Sequence, residues 1–295
     1  MATKEMTKSK DYIDDYILLK DNRRLQYIIL GKEEGVPVFF FHGWPGSRLF
    51  LLPVLEEIKS LNVKVICPDR PGMGLSDFKK NRTLLDFADD VKQLANHLNI
   101  DQFSVFGHSA GGPYTISCAY VMPERIKSAG LVSSFAPIHS KSEMKGLMKA
   151  NKIIFTLAKK NHFLHNLIIF FLVQGGVDRL IKNMSKPLPE TDKEILSNIP
   201  DIKKDIEESF KGGYKGLAVD QQVFISDWQI DFSKLDTQFY LWQGKKDVMI
   251  TYEISKYLSD NIRNCKSKLY DDYGHFFIFS KIKEILEQFV NTGKT

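Results

Sequence analysis

The 295-residue sequence predicts an α/β fold with a mostly parallel central sheet, helices on both faces and a helical segment inserted late in the chain. Three observations predict it. Short apolar runs alternate with amphipathic stretches through the first half of the chain. Those runs are continuously apolar, as strands covered on both faces must be. Between residues 135 and 233 the strand pattern stops, and it returns only near the carboxyl end.

In order, residues 16–30 alternate in polarity around an Asp21-Asn22 turn and read as an antiparallel hairpin at the sheet edge. Residues 36–42 (Val-Pro-Val-Phe-Phe-Phe-His) follow Gly35 and form a buried strand, β-branched and aromatic. A helix spans 47–60. The strand 63–69 ends at Pro68 and the Pro71-Gly72 turn. Apolar residues at 84, 85, 87, 88, 91, 94, 95 and 98 give a helical period over 83–98, and Thr83 with Asp86 has the spacing of a capping box. Residues 103–107 form a strand, 109–122 a helix stopped before Pro123, and 126–134 a strand. Helical periodicity fills 135–233. Strands return at 239–244 and 267–273 with a helix between them, and 281–290 is the last helix. Both sides of the interruption are needed to complete one sheet. The expected organisation is therefore an α/β core made of 1–134 and 234–295, with 135–233 as an inserted helical lid.

Composition narrows the function classes. Lys plus Arg number 41 and Asp plus Glu 36, a net charge of +5 that is spread along the chain as isolated lysine pairs. No basic stripe interleaves with aromatics, so nucleic acid is not an expected partner. At 43% apolar and 26% charged residues the chain is neither disordered nor collagen-like. Its three cysteines, Cys67, Cys118 and Cys265, are odd in number and form no CxxC, which suggests a reducing compartment rather than a disulfide framework or a zinc site. Residues 1–10 are polar and lack a signal-like apolar core. The longest apolar run, 167–173, is far shorter than the roughly 20 residues that span a bilayer. A soluble cytoplasmic protein without a membrane span is expected.

The motif with chemistry in it is Gly107-His108-Ser109-Ala110-Gly111, followed by Gly112. A strand that turns sharply into a helix strains the serine backbone and needs small residues two positions to either side. The pattern alone is short, but it follows the strand at 103–106 and opens a helix that tolerates Pro113 in its first turn.

With four further motifs the chain resembles the α/β-hydrolase superfamily over nearly its whole length. These are His42-Gly43-Trp44-Pro45-Gly46-Ser47-Arg48, Asp69-Arg70-Pro71-Gly72-Met73-Gly74-Leu75-Ser76, Leu241-Trp242-Gln243-Gly244-Lys245-Lys246-Asp247 and Tyr273-Gly274-His275-Phe276. The stretch around 216–220 and Trp228 also looks like bacterial members of that superfamily. The resemblance implies an α/β-hydrolase fold and the order Ser…Asp/Glu…His. It assigns Ser109 as nucleophile, His275 as general base and then acid, and Asp247 as the group that fixes the imidazole tautomer. Both partners fall in loops at the carboxyl ends of strands, where open α/β sheets hold their ligands. Asp271 and Asp272, so close to His275 on the same strand end, read as solvated charges. By the same resemblance the backbone N–H groups of Ala110 and Trp44 form the oxyanion hole. His42 and Arg48 organise the loop, and Asp69, Gly72, Gly74 and Ser76 are turn structure.

Substrate-pocket candidates are the Trp44 indole, His139, Phe170 and Phe171. Phe155, Phe163, Ile168 and Ile169 are further lid residues that either face an apolar substrate or pack the lid on the core. His162 and His165 would need a third ligand to hold a metal, so no metal is expected. Epoxide hydrolases share His-Gly-Trp-Pro but, like haloalkane dehalogenases, use an aspartate where this chain has Ser109. Proline iminopeptidases usually carry His-Gly-Gly-Pro-Gly. The expected activity is cofactor-free cleavage of carboxylic esters of small to medium apolar substrates through an acyl-enzyme. Lactone, amide or carbon–carbon hydrolysis by the same triad remains open, as does a ligand-binding, receptor-like protein with negligible turnover. The expected partner is a small molecule, and the oligomeric state stays open.

Overall fold

The computed structural model describes residues 7–8, 11–137, 147, 149–199 and 201–292. Its strands are β1 (Thr7–Lys8), β2 (Ile13–Leu18), β3 (Arg24–Gly31), β4 (Val36–Phe41), β5 (Val63–Pro68), β6 (Phe103–His108), β7 (Ile126–Val132), β8 (Phe239–Gly244) and β9 (Cys265–Tyr270). Among the described residues they form one nine-stranded sheet in the order β1-β2-β3-β5-β4-β6-β7-β8-β9. From β5 to β9 every neighbouring pair is parallel, while β1, β2 and β3 add an antiparallel edge. The expected hairpin is β2–β3, and Asn22 takes the left-handed conformation its turn requires (φ 64°).

The buried strands behave as their composition dictates. Phe39 and Phe41 of β4 pack on one face of the sheet and Phe40 on the other, each fully buried, so two apolar layers flank the sheet. Helix Leu84–His97 covers the first layer with Phe87, Val91 and Leu94. Its start is the capping box expected at Thr83, with Thr83 Oγ1 accepting from the Asp86 N–H and Asp86 accepting from the Thr83 N–H. Helix Ile278–Thr292 closes the other layer with Ile282, Leu286 and Phe289.

Some boundaries differ from expectation. The segment 47–60 begins as a 3₁₀ helix, Arg48–Val54, and becomes α-helical only at Leu55–Lys59, because Pro53 has no N–H for the α ladder. Strand β9 begins and ends earlier than 267–273, since Tyr273 to His275 leave the sheet to form the turn that carries His275.

Between β7 and β8 the described residues hold helices and no strand: Lys149–Lys160, His162–Gln174, Val177–Ser185, Glu190–Ser197, Ile202–Ser209 and Tyr214–Ile225. The parallel pairing of β7 with β8 means that this segment leaves and re-enters the sheet between two adjacent strands. Among the described residues no single helix is long and apolar enough to cross a membrane. His162–Gln174 and Val177–Ser185 pass that test only as a pair bent by 106°.

Candidate active site

Strand β6 ends at His108 and helical winding begins at the next residue, so the chain reverses at Ser109. Its φ of 55° lies in the left-handed region, which costs a non-glycine residue about 1–3 kcal/mol. The flanking glycines are required by packing. A Cβ on Gly107 would overlap the Gly111 carbonyl, and one on Gly111 would overlap the carbonyl of Phe41 on the adjacent strand. Helix Gly112–Val121 then runs back beneath the sheet with Pro113 in its first turn.

Asp247 follows β8 and is buried. Its Oδ1 accepts the N–H groups of Met249 and Ile250, both at 2.8 Å, and Gln243 Nε2 donates to Oδ2 at 3.3 Å. Held in this way, Oδ2 accepts from His275 Nδ1–H at 2.7 Å. That bond fixes the tautomer and leaves Nε2 as the basic nitrogen of the ring. Burial opposes the charged imidazole, but Asp247 and Asp192 outweigh it and raise the His275 pKa above its ordinary value. Asp271 and Asp272 lie at the surface in ion pairs with Lys245 (2.7 Å) and Lys246 (2.9 Å).

Ser109 and His275 line the same cavity, of about 310 Å³, with Trp44, Phe50, Met249 and Phe276. Among the described residues no hydrogen bond joins Ser109 Oγ to the His275 ring. Such contacts are commonly loose before substrate binds. A second cavity of about 720 Å³ also reaches Ser109, Trp44 and Met249, but not His275. Its walls are mainly apolar and include Phe135, Ile154, Phe155, Leu180 and Phe224.

Ala110, the second residue of the turn after β6, keeps its amide out of the helical ladder. The Trp44 amide donates to no backbone carbonyl among the described residues. The Trp44 indole lines both cavities and is held by Nε1–H donation to the Leu217 carbonyl at 2.9 Å. Phe171, Phe155 and Ile168 line the larger cavity. Phe170 lines neither of the two: its ring packs edge-on against Phe171 and Tyr214, because it faces helix Tyr214–Ile225. Phe163 is exposed, and Ile169 is buried against Met73, Leu217 and Ala218. His139 lies outside the described residues. His165 is buried between Gln221 (2.7 Å) and Gln222 (3.0 Å).

Three acidic residues of the helical segment carry much of the local order; no sequence pattern marked Asp192 or Asp205, and Asp220 stood only within the stretch 216–220 noted for its resemblance, with no role attached. Asp192 accepts the backbone N–H groups of His275 (2.7 Å) and Phe276 (3.0 Å), pinning the histidine turn from 83 residues away. A Cβ at Gly274 would overlap the Asp192 carboxylate, so that glycine is the counterpart of the contact. Asp220 is fully buried and accepts from Arg70 Nη2 at 2.8 Å, from Arg82 and from Tyr114 Oη–H at 2.6 Å. Arg70 in turn donates to the carbonyls of His42 and Gly43, the two residues before Trp44. Asp205 accepts the N–H and Oγ–H of Ser47 at 2.8 and 2.7 Å, holding the same loop from its other end. Arg48 is locked by Asp69, Asp14 and Glu208, each at 2.8 Å, which gives it the organising place expected of it.

The family model for the alpha/beta hydrolase fold matches residues 36–282. A soluble epoxide hydrolase of Corynebacterium sp. (strain C12) is 36% identical over 103 residues, 33% of this chain and 33% of that protein. The chain spans about a third of the length of the first curated relatives it matches. A bifunctional esterase/perhydrolase of Acinetobacter calcoaceticus is 24% identical over 269 residues, 88% of this chain and 92% of that protein. Among solved structures, the enol-lactonase from Burkholderia xenovorans LB400 superposes with a TM-score of 0.71 at 16% identity, covering 95% of this chain and all of that one. A likeness at that identity speaks for the fold alone.

Proposed function

The chain belongs to the alpha/beta hydrolase fold family, and from that premise we propose that it is a serine hydrolase cleaving carboxylic esters of small to medium apolar substrates. The observation that carries this reading is a serine strained to φ 55° in the wall of the cavity that also holds His275, whose Nδ1–H is bonded to a buried Asp247.

In the proposed cycle Ser109 Oγ attacks the ester carbonyl carbon while His275 Nε2 takes its proton. The negative charge develops on the carbonyl oxygen, where the Trp44 and Ala110 amides receive it. Donors of this kind lower the barrier by about 3–4 kcal/mol each. Collapse breaks the bond to the alcohol oxygen, which takes the proton from His275 Nε2–H. Water then attacks the acyl-Ser109 ester with His275 again as base, and the acid leaves. Asp247 stays ionised and holds the imidazole in register.

The two cavities support an assignment of the halves of the substrate. The leaving oxygen must meet His275, and His275 lines the smaller cavity, so the alcohol half belongs there. The acyl half then occupies the larger, mainly apolar cavity beneath the helices that we take as the lid, 135–233. Ser109 stands where epoxide hydrolases as a class carry an aspartate, which argues against epoxide chemistry here. A cytoplasmic setting fits Cys67 and Cys118, which are buried thiols.

The test is covalent labelling by a fluorophosphonate probe together with hydrolysis of p-nitrophenyl acetate and butyrate. Wild-type protein is expected to label and turn over, and Ser109→Ala to do neither. Folded wild-type protein that stays unlabelled would overturn the proposal.

A further inference from the structure

Asp205 has a feature that its role in holding the loop does not use. It lies on helix Ile202–Ser209, is only 2% exposed, and lines the smaller cavity with Ser109 and His275. Both bonds from Ser47 go to Oδ1, and Oδ2 is buried with no hydrogen-bond partner among the described residues. A buried carboxyl oxygen left in that state is costly unless something fills the gap.

The neighbours do not fill it. Arg48, the cation that pairs with Asp69 and Glu208, gives its donors to those two and to Asp14. Lys193, the other charged residue of the cavity wall, holds Glu190 at 2.7 Å. Burial raises the Asp205 carboxyl to about 7, with Asp69 and Glu208 adding to the rise against the two bonds from Ser47. The remaining wall is largely apolar, with Phe50, Leu188, Leu196 and Ile206 among its residues. Among the described residues His108 Nδ1 is the other unpartnered buried atom of this wall, but it sits on a neutral ring stacked against Phe50, so the carboxyl oxygen of Asp205 is the stronger acceptor. Such an acceptor in a largely apolar wall rejects a partner lacking the matching donor.

We propose that Asp205 is the polar anchor of the smaller cavity and selects esters whose short alcohol half carries a hydrogen-bond donor, a hydroxyl or a protonated amine. This rests on the serine-hydrolase reading and on the assignment of the alcohol half to that cavity.

The experiment uses two matched pairs of butanoate esters, followed by acid release. One pair is 2-hydroxyethyl against 2-methoxyethyl; the other is 2-(dimethylamino)ethyl against 2-(trimethylammonio)ethyl. Within each pair the charge is shared and the alcohols are electronically similar, and the second member lacks the donor. The wild type is expected to favour the donor by tenfold or more in kcat/KM in at least one pair, and Asp205→Asn to bring that ratio near unity. Preference in the first pair identifies a hydroxyl, and preference confined to the second identifies an ammonium. Equal rates in both wild-type pairs overturn the proposal. So does a preference that survives in Asp205→Asn, since a clash with the added methyl would survive in the same way. If Asp205→Asn does not fold, Asp205→Ser replaces it, and the wild-type pairs can overturn the proposal without any variant. Loss of fluorophosphonate labelling in the wild type would instead sink the serine-hydrolase reading, which keeps the two failures apart.

Discussion

Replacing Asp220 by asparagine removes the carboxylate that holds together the buried charges under the Trp44 loop. Asp220, Arg70 and Arg82 are all fully buried, so one negative charge faces two guanidinium groups with no bulk water to screen them. Asparagine keeps an acceptor oxygen but leaves both cations uncompensated. Breaking a buried ion pair from one side typically costs about 3–5 kcal/mol. The retained acceptor puts the expected loss near the lower end, about 3 kcal/mol, a large share of the roughly 5–15 kcal/mol that stabilises a typical domain. Equilibrium urea unfolding followed by tryptophan fluorescence would measure it.

The loss should depend on pH. Burial alone would raise the Asp220 pKa, but Arg70 and Arg82 outweigh it and hold the carboxyl below the usual carboxylate range. A depressed folded-state pKa contributes stability above the unfolded value, about 3.9, and loses it as pH falls toward the folded one. The gap between wild type and Asp220→Asn should therefore be full at pH 7 and shrink below about pH 4. Because Arg70 also grips the His42 and Gly43 carbonyls, kcat should fall more than KM rises. A loss under about 1 kcal/mol at pH 7, or additive effects in a double-mutant cycle of Asp220→Leu with Arg82→Leu, would refute the reasoning.

Asp192→Asn removes one of the two negative charges that raise His275, so the acidic limb of the kcat/KM profile should move to lower pH; a limb that stays put would separate Asp192 from the histidine's titration. The same change turns an acceptor into a donor facing the His275 or Phe276 N–H, with an expected stability loss of about 1–3 kcal/mol by urea unfolding. Asp247→Asn should leave the fold intact by circular dichroism and lower kcat by about 10⁴, because an amide does not hold the required imidazole tautomer.

The parts of this molecule fixed by neighbours in the chain were legible in its sequence. The order of strands and helices follows from hydrophobic period. The Thr83 cap follows from a four-residue motif, and the tight turn at Ser109 from glycines whose added Cβ atoms would meet backbone. The motifs around residues 109, 247 and 275 also carried the resemblance, because each is a short loop at a strand end with its own local requirements. Phe170 shows the limit: periodicity placed it on a helix of the segment 135–233, but which side of that helix meets the cavity depends on how Tyr214 packs against it. Asp192 and Asp205 lie beyond that limit too, as does the role of Asp220, whose stretch carried only a resemblance. Their importance arises only where the fold buries them against Gly274, Ser47 or Arg70. Local spacing records what the backbone can do over a few residues. The worth of a buried charge depends on which groups surround it, and tertiary packing alone decides that.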